Sequence, residues 1–193
     1  MRQPKPVDAA MGMTVRDYLI FADARPFERF ELLDGQPVAM APTTRAHQVA
    51  CRNVDYALKE QVRSRGCEVL RDFGVAASEM SIFMPQPDVM VRCGPLSGDS
   101  RWTSDPVVLF EVLSPSTAAR DRGYKRDRYF EVTSLRHLVF VSPTIVRVEA
   151  WHRGDDSGWP SQPEIMTQRS EVLRLSAVGA ILPLAEIYLD IDL

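Results

Sequence analysis

The run Val107-Val108-Leu109-Phe110-Glu111-Val112-Leu113 constrains this chain more than any other stretch. Seven residues, apolar but for one, fit a central strand covered on both faces, since a half-exposed strand would alternate apolar and polar side chains. A strand of this kind needs helices packed above and below it, which selects an α/β fold with a mixed sheet. Its one charge, Glu111, falls near the C-terminal end. A second acid in similar surroundings, Asp88, follows Pro87 and opens the apolar segment Val89-Met90-Val91.

The rest of the chain supplies the covering elements. Thr14, with Asp17 three positions on, reads as the N-cap of a first helix. Phe30–Leu33 and Val38–Met40 flank Asp34-Gly35, the dipeptide favoured in a two-residue hairpin turn. Thr43 or Thr44 can cap a long helix from about Arg45 to Arg65, with Val49, Val54, Leu58 and Val62 as its buried stripe and Gly66 as its stop. Short strands are expected at Glu68–Asp72, Val75–Ala77, Ser81–Met84 and from Asp88, with a loop over Gly94–Asp105. After the central strand, the Ser114-Pro115-Ser116-Thr117 turn can cap a helix from about Ala118 to Val132. His137–Ser142 and Ile145–His152 read as two further strands, and Gly154–Pro163 as a loop. A single domain over residues 1–193 is the simplest account, with residues 1–12 as a polar tail. The predicted fold is a mixed sheet of five or more strands, the long helix on one side and the helix after the central strand on the other.

No apolar stretch is long enough for a signal peptide core or a membrane span. The three cysteines, Cys51, Cys67 and Cys93, are odd in number and form no CxxC pair. We read them as free thiols in a cytoplasmic protein. The formal net charge of −3 does not suit a protein that holds nucleic acid by bulk charge, so any such contact must use local clusters.

A buried carboxylate without a partner costs several kcal/mol, so Asp88 and Glu111 should meet a cation or each other. On neighbouring strands they could converge on a hard divalent ion, and Mg²⁺ typically asks for one or two carboxylates and otherwise for water and phosphate oxygens. Spacing alone leaves a second account open, in which Glu111 pairs with an arginine and Asp88 caps a turn. In the following helix, Arg120, Arg122, Lys125, Arg126 and Arg128 crowd one short stretch. Asp121, Lys125 and either Arg128 or Tyr129 share a face. Lys125 could lean back toward Glu111, where an ammonium orients water or offsets charge on a phosphate; the same pattern also fits a solvated face with i,i+4 pairs. No GxGxxG or phosphate-binding loop motif is present, and no Ser-His-Asp context.

Pro87-Asp88, then Glu111-Val112-Leu113-Ser114-Pro115-Ser116-Thr117, then Asp121, Lys125 and Tyr129 together resemble the Uma-type restriction endonuclease family, formerly grouped as a domain of unknown function within the PD-(D/E)XK nucleases. Glu31-Leu32-Leu33-Asp34-Gly35, Met40-Ala41-Pro42 with His47, Ser134–Val139 and Leu182–Tyr188 extend the likeness over most of the chain. The resemblance implies a restriction-endonuclease-like fold with an N-terminal helix and hairpin. It also implies Mg²⁺- or Mn²⁺-dependent cleavage of DNA, with Asp88 and Glu111 as metal ligands aided by the Val112 carbonyl. Lys125 would act on the attacking water, and Glu31 would be a supporting acid. The superfamily's usual lysine lies two residues after the second acid; that position is Leu113 here, so Lys125 would substitute from the helix. His47, Arg122, Arg126 and Tyr129 are the candidates for contact with nucleic acid. A homodimer would bring two centres to the two strands. The competing expectations are a non-catalytic nucleic-acid- or protein-binding module that keeps the fold, and a hydrolase of small phosphate esters.

Overall fold

Thr14 and Asp17 form the expected capping box, each side chain bonding the other's backbone N–H, and start helix α1 (Val15–Asp23). A computed structural model of the protein describes residues 12–115, 117–156 and 158–193. The expected N-terminal tail, apart from Gly12, and the turn residue Ser116 lie outside the described residues. Strands β1 (Phe30–Leu33) and β2 (Gln36–Ala39) pair as an antiparallel hairpin. Asp34 and Gly35 take φ of 46° and 74°, the left-handed pair that a two-residue type I′ turn requires. Helix α2 (Arg45–Arg63) follows its Thr44 cap and buries Val49, Val54, Leu58 and Val62 as predicted.

Strands β3 (Cys67–Arg71), β4 (Gly74–Val75), β5 (Val89–Cys93), β6 (Trp102–Thr103) and β7 (Pro106–Val112) come next. The chain then forms α3 (Ala118–Arg120), a π turn over Asp121–Lys125 and α4 (Arg126–Phe130). Strands β8 (His137–Val141), β9 (Val148–His152), β10 (Glu164–Met166), β11 (Val172–Leu175) and β12 (Ala180–Pro183) and the short helix α5 (Leu184–Ile187) complete it. The main sheet has the order β10-β9-β8-β7-β5-β3, so the apolar strand β7 is central, antiparallel to β5 and parallel to β8.

Strand alternation assigns the two faces. Val89, Val91, Val108, Phe110 and Val139 pack with α2, the β11–β12 hairpin and α5. Met90, Leu109, Leu138 and Phe140 face the other way, onto Tyr129, Leu135 and Trp151. Each fully buried large side chain contributes roughly 1.5–3 kcal/mol. The long helix and the helix after β7 therefore cover opposite faces, as the sequence implies.

Several expectations are corrected. Ser81–Met84 is not a strand: the Ser81 hydroxyl bonds the backbone of Phe83 and turns the chain, leaving a lone bridge from Met84 to Leu32. The Gly94–Asp105 loop contains β6, paired in parallel with β4. The expected 118–132 helix contains a π turn and stops at Phe130. Cys67 and Cys93 are not free thiols, because the antiparallel β3–β5 register sets them opposite each other and they form a disulfide. Cys51 alone is free and buried. Among the described residues no helix is long and apolar enough to cross a membrane.

Candidate active site

Glu111 is the penultimate residue of β7 and shares its face with Leu109, opposite α2. The turn after β7 folds the chain back over that face, and the π turn brings Lys125 down onto it. The Lys125 Nζ lies 2.7 Å from Glu31 Oε1, 3.2 Å from Glu111 Oε1 and 3.6 Å from Asp121 Oδ1. π-Helical turns are rare and recur at functional sites, and this one positions both Asp121 and Lys125 inside the protein. One turn further on, the Tyr129 hydroxyl donates to Glu111 Oε1 at 2.7 Å. Glu31 reaches in from β1, and its Oε1 also accepts the Gln86 backbone N–H at 3.0 Å.

Asp88 stands at the entrance to β5. Val89 is opposite Phe110 in the antiparallel ladder, so one step further sets Asp88 opposite Glu111. Its Oδ2 accepts the Val112 backbone N–H at 2.7 Å, and its Oδ1 lies 3.4 Å from His47 Nε2 on α2. His47 Nδ1 is in turn 3.5 Å from the Cys51 sulfur. His47, Cys51 and Asp88 line a cavity of about 360 Å³ that Gln48 and Arg71 also border.

Acid outweighs base in this centre. Glu31, Glu111 and Asp121 face Lys125, the Asp88 charge acts on Glu111, and Arg120 at 4.0 Å from Glu31 gives further relief. Burial holds the Glu111 carboxyl well above the usual carboxylate range; Lys125 offsets this only in part, and the Asp88, Asp121 and Glu31 charges add to it. Burial pulls the other way on Lys125, but the Glu111, Glu31 and Asp121 carboxylates outweigh it and hold the ammonium protonated beyond its ordinary range. Asp121 is raised by burial against the pull of Lys125. Burial, then the Glu111 charge, raises the Tyr129 hydroxyl. Both directions, a carboxyl and an ammonium each gripping a proton, follow from one excess of negative charge in a dry place, and a divalent cation relieves such an excess. The donor set fits a hard ion, being carboxylate oxygens from two adjacent strands.

Other sequence-derived residues are placed differently. Tyr129 is fully buried and serves Glu111, so it is no nucleic-acid contact; its ring packs where the helix meets the sheet. Arg122 is committed to Glu149 on β9, at 2.8–3.2 Å, a pairing that with Arg147 lowers the Glu149 carboxyl despite its burial. Arg126 pairs with Asp127 and lies 5.5 Å from the Trp151 ring centroid. The sequence reading missed Tyr129 as a partner of Glu111 and Cys51 as a neighbour of Asp88. The i,i+4 spacings of Lys125 with Tyr129 and of His47 with Cys51 were the available signals.

Residues 15–185 match the Uma2 family, described as "Putative restriction endonuclease". The chain belongs to the Uma2 family. The match runs from α1 into α5 and so contains Glu31, Asp88, Glu111 and Lys125. Among similar proteins, the uncharacterized protein slr1290 of Synechocystis sp. is 30% identical over 181 residues, covering 91% of each chain. The uncharacterized protein sll1609 of the same organism is 24% identical over 164 residues, covering 83% of this chain and 91% of its own. A crystal structure from Anabaena variabilis, described as a "putative nuclease belonging to DUF820", superposes with a TM-score of 0.71 at 12% identity, covering 91% of this chain and 97% of that one. At that identity the likeness speaks for the fold, and it bears out the restriction-endonuclease-like architecture of this Uma2 chain.

Proposed function

We propose that this Uma2 protein is a divalent-metal-dependent endonuclease that hydrolyses phosphodiester bonds in DNA, acting as one domain. The observation that carries the reading is the contact of the Lys125 ammonium with both Glu31 and Glu111 in a centre where carboxylates outnumber cations. Asp88 and Glu111 would hold Mg²⁺ or Mn²⁺, with the Val112 carbonyl as a further oxygen. When bound, the ion would supply charge neutralisation at the phosphate and a lowered pKa for water.

The protein's own groups have separable tasks in this proposal. Lys125 stays protonated and offers N–H donors to the attacking water or to phosphate oxygens as negative charge grows on them. Glu31 positions Lys125, since its second partner, the Gln86 N–H, ties it to the chain just before Asp88. Tyr129 fixes the Glu111 carboxylate. Arg126 and His47 remain candidates for phosphate contacts. A homodimer would supply a second centre for the second strand.

A non-catalytic module that keeps the fold is the second reading, and the burial of the Lys125–Glu31–Glu111 cluster favours it, since a closed ion-pair network can be purely structural. Plasmid nicking separates the two. With Mg²⁺ present, the wild-type chain should convert supercoiled plasmid to the open circle and Glu111→Gln should not. Wild-type protein inert with Mg²⁺ and with Mn²⁺ leaves the module, and turnover of a chromogenic phosphodiester without nicking selects a small-ester hydrolase.

A further inference from the structure

The geometry points to a second, softer metal site: His47, Cys51 and Asp88 form a three-ligand site for a thiophilic divalent cation of the Zn²⁺ class. One ligand atom from each residue lies within 4.8 Å of the other two. His47 and Cys51 are one turn apart on the same face of α2, so a single rigid helix presents both, and Asp88 comes to them from the sheet. Tetrahedral zinc with bonds of 2.0–2.3 Å sets its ligands roughly 3.5 Å apart. His47 Nε2 and Asp88 Oδ1 already stand at 3.4 Å. The Cys51 sulfur stands 3.5 Å from the same ring, at Nδ1, so an ion would draw the three side chains together from within 4.8 Å of one another.

The donor set decides the class of ion. A thiolate, an imidazole and a carboxylate form the mixed sulfur, nitrogen and oxygen shell of borderline-soft metals, whereas Mg²⁺ takes oxygen and keeps its water. Three protein ligands leave a fourth position for water, and the cavity of about 360 Å³ that all three residues line provides the way in. The backbone N–H of Val112 already fixes Asp88 Oδ2, which leaves Oδ1 turned toward His47 as the free ligand atom. Cys67 and Cys93 are bonded to each other, so Cys51 is the thiol that remains.

Sharing Asp88 gives the site a consequence. An ion held by His47 and Cys51 takes the same carboxylate that the hard-metal centre uses, so the two occupancies exclude each other and Zn²⁺ would switch the enzyme off. This consequence rests on the nuclease reading; the site itself does not.

Titration of the untagged full-length chain with Co²⁺ tests the site directly, because a cysteine ligand produces a sulfur-to-metal charge-transfer band in the near ultraviolet. We expect a saturable band at one Co²⁺ per chain, bleached by Zn²⁺. It should be absent in Cys51→Ser and retained in the Cys67→Ser/Cys93→Ser double variant. His47→Gln should bind Co²⁺ about tenfold more weakly or worse, on the scale of losses at metal sites; this variant decides the matter if Cys51→Ser does not fold. No charge-transfer band in the folded wild type, a band that survives Cys51→Ser, or unchanged affinity in His47→Gln would overturn the site. In a second arm, Zn²⁺ is added to nicking reactions at fixed Mg²⁺, where Cys51→Ser should need roughly tenfold more Zn²⁺ for half inhibition than wild type. Equal inhibition of both overturns the switch. A wild type that nicks nothing counts against the nuclease reading, while the cobalt band still decides the site.

Discussion

The Lys125 ammonium meets the Glu31 carboxylate at 2.7 Å across 94 residues of sequence, tying the helix after the central strand to the N-terminal hairpin beside Glu111, near the end of β7. The contact joins the architecture to the chemistry: the same lysine that would serve a phosphate also holds three carboxylates together in a dry interior.

Removing that ammonium should therefore cost stability. Lys125→Met leaves Glu31, Glu111 and Asp121 buried without their shared cation, and breaking a buried pair from one side costs ~3–5 kcal/mol. Urea denaturation at neutral pH should show this loss. A variant as stable as wild type would mean that water reaches the cluster freely.

Tyr129→Phe separates packing from positioning. The ring stays and only the hydroxyl donor to Glu111 goes, so stability should fall by ~1 kcal/mol, the net scale of one hydrogen bond. The salt dependence of DNA binding should not change, because the side chain is fully buried. A shallower salt slope would restore Tyr129 as a nucleic-acid contact.

His137 should make stability pH-dependent. Its Nε2 accepts the Ala177 N–H, so its Nδ1 carries the proton and donates to His152 Nδ1 at 2.7 Å. Burial, then the His152 and Arg136 charges, lowers its pKa to about 4. The folded protein thus resists a proton that the unfolded chain accepts below its ordinary value near 6.5. The stabilisation is complete above pH 6.5 and is lost as pH falls toward 4, by about 3 kcal/mol in all. Denaturation midpoints at pH 7.5 and 4.5 should differ by less in His137→Gln than in wild type; an equal difference would assign the slope to other groups.

The Cys67–Cys93 bond closes a segment with a sequence separation of 26, for which loop closure gives ~3 kcal/mol. A reductant should lower wild-type stability by that order and leave Cys67→Ser unaffected. Identical wild-type melts with and without reductant would contradict the pairing.

Much of this molecule is legible in its sequence because local chemistry agreed with the fold. The Thr14–Asp17 box, the Asp34-Gly35 turn, the α2 stripe and the apolar run around Glu111 each specify one structure. The acids and the lysine stood out because charge is costly in apolar surroundings. What escaped depends on tertiary register. Cys67 and Cys93 pair only because β3 and β5 align them, and an odd cysteine count does not forbid that. The β11–β12 hairpin lacks a diagnostic turn dipeptide, with Ser176–Val178 forming a 3₁₀ turn before Gly179 at φ 59°. Tyr129 reads equally well as an outward or inward ring until the π turn fixes its direction.

The most direct test of the central claim, that Asp88 and Glu111 hold a hard divalent cation beside Lys125, is a Mn²⁺ titration followed by electron paramagnetic resonance. The account predicts saturable binding by the wild type, with Mg²⁺ competing, and loss of that binding in Asp88→Ala and in Glu111→Ala proteins that remain folded. A wild type that binds no Mn²⁺, or binding that survives both substitutions, would contradict it.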